Sequence, residues 1–326
     1  TELLPYAKEQ EAHGKIYGWG PSEHAFFRDA SILGQGIVPS DWSWSSSTTA
    51  QWRGPLVKQS FHPSFEAPTQ VGRHYVAFVM SDGDNVQVLT RGWAADRRWF
   101  GSPHRGNFTM NWDLTGSLAE VNPVAFNYYY RKAKTGPQFD SFVSAGGGSM
   151  IFPSRYPDKR RLAAMIEADK QLADHRTASI LDDSYDLPSL KPILESESVL
   201  GMMFKTYDRF YKGRNGSLDW HQGKPILSVK YSLWDGADHA RSIAQALNQS
   251  PHRDALSDFN SFSIVNVHPW STRGPDGRGE GDPMSNLDQL VRWLEKDKVN
   301  VVSLEEIMIH LRKNFGSSPG GKPVLP

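Results

Sequence analysis

The sequence contains no cysteine. Disulfides, thiolate metal sites and a cysteine nucleophile are therefore excluded, and the absence fits an exported bacterial protein. Neither charge is in excess: Lys plus Arg and Asp plus Glu both number 36, so the formal net charge is zero. That balance argues against nucleic acid or an anionic membrane as the main partner, because both favour a basic face. No apolar run approaches the roughly 18 residues of a membrane span. Gly146-Gly147-Gly148 lacks the GxGxxG spacing of a dinucleotide site and the Lys-Ser/Thr of a phosphate loop, so no nucleotide cofactor is expected. The 11 histidines include no pair three or four residues apart, which removes the usual zinc-ligand spacing. Thr1-Glu2-Leu3-Leu4-Pro5 lacks the basic start and apolar core of a signal peptide. The expectation is a leader already removed and a secreted or periplasmic protein.

Aromatic residues are plentiful. Eleven Trp, 11 Tyr and 16 Phe make up 12% of the chain. They serve a large core, or a sugar site in which flat pyranose faces stack on rings. Short apolar, β-rich runs recur, each ending in an acid, a Trp or a Gly turn. Lys15–Gly20 leads to Glu23, Gly36–Ser40 to Asp41-Trp42, and His74–Met80 to Asp82-Gly83-Asp84-Asn85. Phe108–Asn111 leads to Trp112-Asp113, Asp140–Ser144 to three glycines, and Thr177–Leu181 to Asp182-Asp183. Ile226–Tyr231 leads to Trp234-Asp235, and Phe262–Val267 to His268-Pro269-Trp270. Amphipathic helices are expected over 158–172, 237–247 and 286–296. Val299–Val302 is a short last strand, and Ser303 with Glu306 forms a capping box for a final helix.

Strands alternating with helices predict an α/β fold with a mainly parallel sheet. About eight units suggest a (β/α) barrel, complete or distorted, with long loops at the carboxyl ends of the strands. Residues 1–315 read as one catalytic domain and 316–326 as a flexible tail or linker. Two segments interrupt the pattern, Ser43–Gln70 and Thr272–Ser285. Each either builds the site or is a mobile surface insertion.

The chemistry-bearing candidates stand at the strand tips. Asp82 and Asp84 share one sharp turn that Gly83 permits. They suit acid–base work, with one acid protonated beside an ionised neighbour, or they hold a hard cation, Ca²⁺ or Mg²⁺. Glu23 and Asp182 are further catalytic acids, although a helix first turn and turn formation also explain them. Trp19, Asp41, Trp42, Asn85, Trp112, Asp183, Trp234, Asp235, His268 and Trp270 are expected to bind substrate. A lone His is more often structural, but Pro269-Trp270 directly after His268 favours function.

Several segments together carry a resemblance: Tyr75–Gln87, Asn127-Tyr128-Tyr129-Tyr130, Phe262–Ser271 and Val301–Glu306. Gly18-Trp19 with Glu23, and Ser40-Asp41-Trp42, belong to it too. The chain resembles the GxGYxYP family of glycoside hydrolases over most of residues 14–315. The naming motif is kept only in part: in Gly147–Pro153, Ser149, Met150 and Phe152 replace Gly, Tyr and Tyr. The resemblance implies a barrel related to glycoside hydrolases and polysaccharide deacetylases, with a glycan as partner. Two carboxyl groups across a scissile bond are what a glycosidase needs. The alternatives are a metal-dependent deacetylase, to which Asp82 and His268 would contribute, a polysaccharide lyase, and a barrel that only binds carbohydrate.

Overall fold

The computed structural model describes residues 14–40, 49–52, 54–59, 61–64, 66–146, 149–250 and 254–316. The Asp41-Trp42 turn lies outside them. Strands β1 (Lys15–Tyr17) and β2 (Gly36–Val38) pair in parallel as a small separate sheet. The main sheet is built around β3 (His74–Met80), whose seven residues are all buried. A strand with no polar face is what a parallel sheet covered on both sides requires. β3 runs parallel to β11 (Phe262–Val267) on one side and β4 (Met110–Leu114) on the other. The sheet continues in parallel through β5 (Asp140–Ala145), β6 (Thr177–Asp182), β7 (Gly201–Thr206) and β9 (Lys224–Ser228). β8 (Leu218–His221) lies antiparallel outside β9.

The expected strand Ile226–Tyr231 is one bent stretch that closes the ring. Its first half is β9, paired with β7, and its second leads into β10 (Tyr231–Leu233), paired with β11. At the bend the Val229 N–H donates to the Phe204 carbonyl of β7, and the Lys230 N–H donates to the Ile264 carbonyl of β11. The path β3-β4-β5-β6-β7-β9/β10-β11 thus returns to β3 as a distorted parallel barrel. Its seams are uneven. Only the carboxyl end of β3, Val79 and Met80, pairs with β4, at Asn111 and Trp112, and β12 (Val299–Val301) fills the gap beside the start of β3. The Asn111 amide bridges this seam, donating to the Phe78 carbonyl at 2.9 Å and accepting from the Leu304 N–H at 2.8 Å.

Helices among the described residues are α1 (Glu23–Ile32), α2 (Val86–Leu89), α3 (Ser117–Val121), α4 (Pro123–Lys132) and α5 (Lys159–Ala173). They continue with α6 (Leu187–Leu194), α7 (Ala240–Asn248), α8 (Pro283–Trp293) and α9 (Leu304–Phe315). Ser303 caps α9 as expected, accepting from the Glu306 N–H at 3.1 Å. Alternation along β3 separates two cores. Val76, Phe78 and Met80 face the outer layer, whereas Tyr75, Ala77 and Val79 face inward. The inward set packs against Ile307, Met308, Ile309 and Leu311 of α9. The last helix therefore plugs the amino-terminal end of the barrel with apolar side chains. Access to the interior is left to the carboxyl end. No helix among the described residues is long and apolar enough to cross a membrane.

Candidate active site

Toward the carboxyl ends of the strands the inward positions change from apolar to polar. Val79 is followed by Ser81 and the Asp82 turn, and Met203 of β7 by Lys205. The Asp82 turn and Lys205 meet in a cleft of about 570 Å³. Asp82, Asp84, Glu23, Asp113 and Lys205 reach it, while Trp19, Tyr207, Tyr211, Trp234 and Trp270 supply rings to its walls.

The 82–85 turn is held by close backbone packing. Asp82 lies in the left-handed region at φ 67°, which Asp tolerates better than most side chains. At Gly83 a Cβ would stand 1.6 Å from the Asp113 carbonyl oxygen. The Gly83 carbonyl accepts from the Thr115 N–H at 2.9 Å, which locks the turn to the end of β4. Gly83→Ala is therefore expected to destabilise the protein by about 1–3 kcal/mol or more, because backbone must move to make room. A denaturation curve with an unchanged midpoint would contradict this packing.

Asp82 is framed by two aromatic side chains. The Trp270 indole N–H donates to its carboxylate at 3.0 Å, and His268 Nε2 lies 3.7 Å away. Trp234 stacks on His268 with centroids 3.4 Å apart, fixing the ring's plane. His268 Nδ1 accepts from the Trp270 N–H at 3.4 Å, which assigns the ring proton to Nε2, the nitrogen facing Asp82. Burial lowers the His268 pKa below its ordinary value, and the nearby Asp82 charge only partly offsets this. Trp270 itself is braced edge-on by Trp99 at 5.1 Å.

The other acids have different surroundings. Asp84 keeps part of its surface open to the cleft, yet desolvation and then the Asp82 charge push its carboxyl up to about 7, against the pull of Lys205. Glu23 is the first residue of α1 and accepts from the Tyr207 hydroxyl at 2.8 Å. Burial raises its pKa, the Tyr207 bond opposes this, and the Asp82 charge adds to it. Asp113 is buried against Lys205 Nζ at 3.0 Å and the Ser179 hydroxyl at 3.1 Å. Lys205→Met leaves the Asp113 carboxylate buried without its cation. A loss of about 3–5 kcal/mol is expected by chemical denaturation. Wild-type stability in that variant would mean that Asp113 does not depend on the lysine.

Of the residues singled out from sequence, Trp19, Glu23, Asp82, Asp84, Asn85, Trp234, His268 and Trp270 converge on this cleft. Four others do not line it. Trp112 points outward from β4 into the core, its indole donating to Asp140 at 2.8 Å, while its neighbour Asp113 takes the inward position. Asp182 is buried and accepts from the Ser154 N–H at 2.7 Å and hydroxyl at 2.6 Å, tying down the segment after the naming motif. Burial pushes its carboxyl up to about 6. Asp183 pairs with Arg155 at 3.0 Å. Asp235 pins the loop that follows β11 and lines a separate cavity.

Not among the residues singled out from sequence are Lys205, Tyr207, Tyr211 and Asp113, the last named only as part of a strand tip. The available signal was Lys205, a charge closing the otherwise apolar run Val199–Phe204. Where the naming motif has its first Tyr, Met150 lines the cleft, and where it has the second, Phe152 packs against Tyr207 at 5.5 Å. Among the described residues no three His, Asp or Glu side chains are grouped so as to hold a metal ion.

A solved structure of a putative hydrolase from Bacteroides thetaiotaomicron superposes with a TM-score of 0.82 at 23% identity, over 97% of this chain and 60% of that one. The chain thus spans about 60% of that protein's length. A probable polysaccharide deacetylase from Pseudomonas aeruginosa gives a TM-score of 0.49 at 14% identity, over 79% of this chain and 97% of that one. No curated protein matches the sequence. Residues 72–312, most of the chain, match the GxGYxYP putative glycoside hydrolase C-terminal domain, and the chain belongs to that family.

Proposed function

We infer that the cleft hydrolyses a glycosidic bond in an oligosaccharide or polysaccharide. One observation carries this reading: two carboxyl groups from a single turn lie in unlike surroundings inside a ring-walled cleft. Asp84, raised to about 7, retains a proton near neutrality and can give it to the leaving-group oxygen. Asp82, with the Trp270 N–H at 3.0 Å and His268 beside it, faces the positive charge that develops at the anomeric carbon. Trp270 and Trp19 are partly exposed at the cleft and offer flat surfaces to pyranose rings. Glu23, bonded to Tyr207, is placed to hold substrate hydroxyls.

A panel of plant and bacterial glycans, read by release of new reducing ends, tests the reading. A metal-dependent deacetylase would use the same cleft through Asp82 and His268. Treatment with a strong chelator is expected to leave glycan cleavage unchanged, because the reaction proceeds by carboxyl groups alone. Activity that disappears with chelator and returns with zinc would move the assignment to the deacetylase.

A further inference from the structure

A second cavity, of about 250 Å³, adjoins the cleft, and Trp234 lines both. One wall is the segment from Thr272 to Gly281, between β11 and α8. This is a built wall. The Asp235 carboxylate accepts from the Thr272 N–H at 2.9 Å, the Thr272 hydroxyl at 2.8 Å and the Arg273 N–H at 3.1 Å. The Asn286 amide holds the Arg273 carbonyl at 2.8 Å, and the Gly281 N–H closes on the Thr272 carbonyl at 2.7 Å.

The acids of this cavity already have partners. Asp235 is engaged as above, Asp238 binds Lys212 at 3.0 Å and the Ser232 N–H at 2.9 Å, and Asp276 accepts from the Arg278 N–H at 3.1 Å. Two exposed arginines on the wall, Arg273 and Arg278, differ. Their backbone N–H groups are bonded, but neither guanidinium makes a hydrogen bond or ion pair among the described residues. Arg273 reaches Asp235 only by charge. The first cleft is the more acidic of the two, with Glu23, Asp82, Asp84 and Asp113 against Lys205, whereas with Asp238 paired to Lys212 the second cavity sets Asp235 and Asp276 against Arg273 and Arg278. An anionic sugar is repelled there, and here it meets two open guanidinium groups.

We propose that the second cavity is a distal subsite for an anionic unit of the glycan, a pyranose bearing a carboxylate or a sulfate. Arg273 and Arg278 take the anion, because a guanidinium presents paired donors that match either group. Trp234, on the divide, supports the chain between the two sites. The inference rests on the glycan-cleaving reading of the first cleft, and its test is a binding measurement that needs no turnover.

Calorimetric titration would use a galacturonate tetramer, a κ-carrageenan tetramer and neutral cellotetraose, against wild type and the R273A/R278A double variant. At least one anionic tetramer is expected to bind wild type and to bind the double variant about 10-fold or more weakly, with affinity falling as salt rises. The R273K/R278K variant, which keeps the charge and loses the paired donors, should fall between them. Which tetramer binds distinguishes carboxylate from sulfate. The proposal is overturned if neither anionic tetramer binds, or if the double variant, folded by its melting curve, binds as wild type does. Arg-dependent binding without cleavage of any glycan would contradict the hydrolase reading alone. Cleavage of neutral glycans with indifference to both arginines would contradict the subsite alone.

Discussion

Asp82→Asn is expected to lower kcat by about 100- to 10,000-fold while leaving the melting temperature close to that of wild type. Asn keeps the size of Asp and is itself at home at positive φ, so the turn at φ 67° is preserved. Its amide oxygen still accepts the Trp270 indole N–H. What disappears is the negative charge proposed to face the anomeric carbon. Steady-state rates and thermal unfolding on the same preparation separate the two effects. Full activity, or an activity loss matched by unfolding, would remove Asp82 from the chemistry.

Asp84→Asn should act in two opposite directions. Loss of the proton donor is expected to lower kcat by a similar factor, about 100-fold or more. In wild type, kcat/KM should fall as pH rises through about 7, where Asp84 gives up its proton. The variant should lose that alkaline limb. Stability should move the other way. The Asp84 carboxyl holds its proton up to about 7 in the folded protein, whereas an unfolded Asp ionises near pH 4. Between these values the folded state binds more protons than the unfolded state, so stability falls as pH rises from about 4 to about 7, by up to roughly 1.4 kcal/mol per pH unit. Asp169, also raised to about 7, and Asp182, raised to about 6, add slopes of the same sign. Asp84→Asn removes one of these contributions. Its melting temperature should exceed that of wild type at pH 8 and approach it at pH 4. A variant less stable than wild type at pH 8 would show that the ionised carboxylate is a structural necessity.

The parts of the fold legible in the sequence were those whose residues obey a single rule. His74–Met80 is apolar after its first residue, Phe262–Val267 carries Ser263 and Asn266 among β-favouring residues, both end in turns, and the structure gives strands with those same bounds. β7 was not legible. Within Gly201–Thr206 only Phe204 and Thr206 favour a strand, so propensity gives little signal, and its strand character comes from pairing with β6 and β9. Missing β7 also concealed Lys205, Tyr207 and Tyr211. At β4 the difficulty was parity. Trp112 and Asp113 are adjacent at the end of one strand, only one can face inward, and sequence alone does not say which. Asp182 and Asp235 spend their oxygens on backbone N–H groups of segments remote in sequence, at Ser154 and Thr272, and no local pattern announces such a partner. The Asp82–His268 pairing was legible in part, because barrel geometry brings strand tips together whatever their separation in sequence.

The most direct test of the account is the fate of oxygen from water. A glycan cleaved by the enzyme in H₂¹⁸O would be analysed by mass spectrometry for the position of the label. The account predicts ¹⁸O at the anomeric carbon of the new reducing end, with none in released acetate and no unsaturated sugar. Label in acetate would identify a deacetylase. An unlabelled, unsaturated product would identify a lyase, and either result would contradict the roles assigned to Asp82 and Asp84.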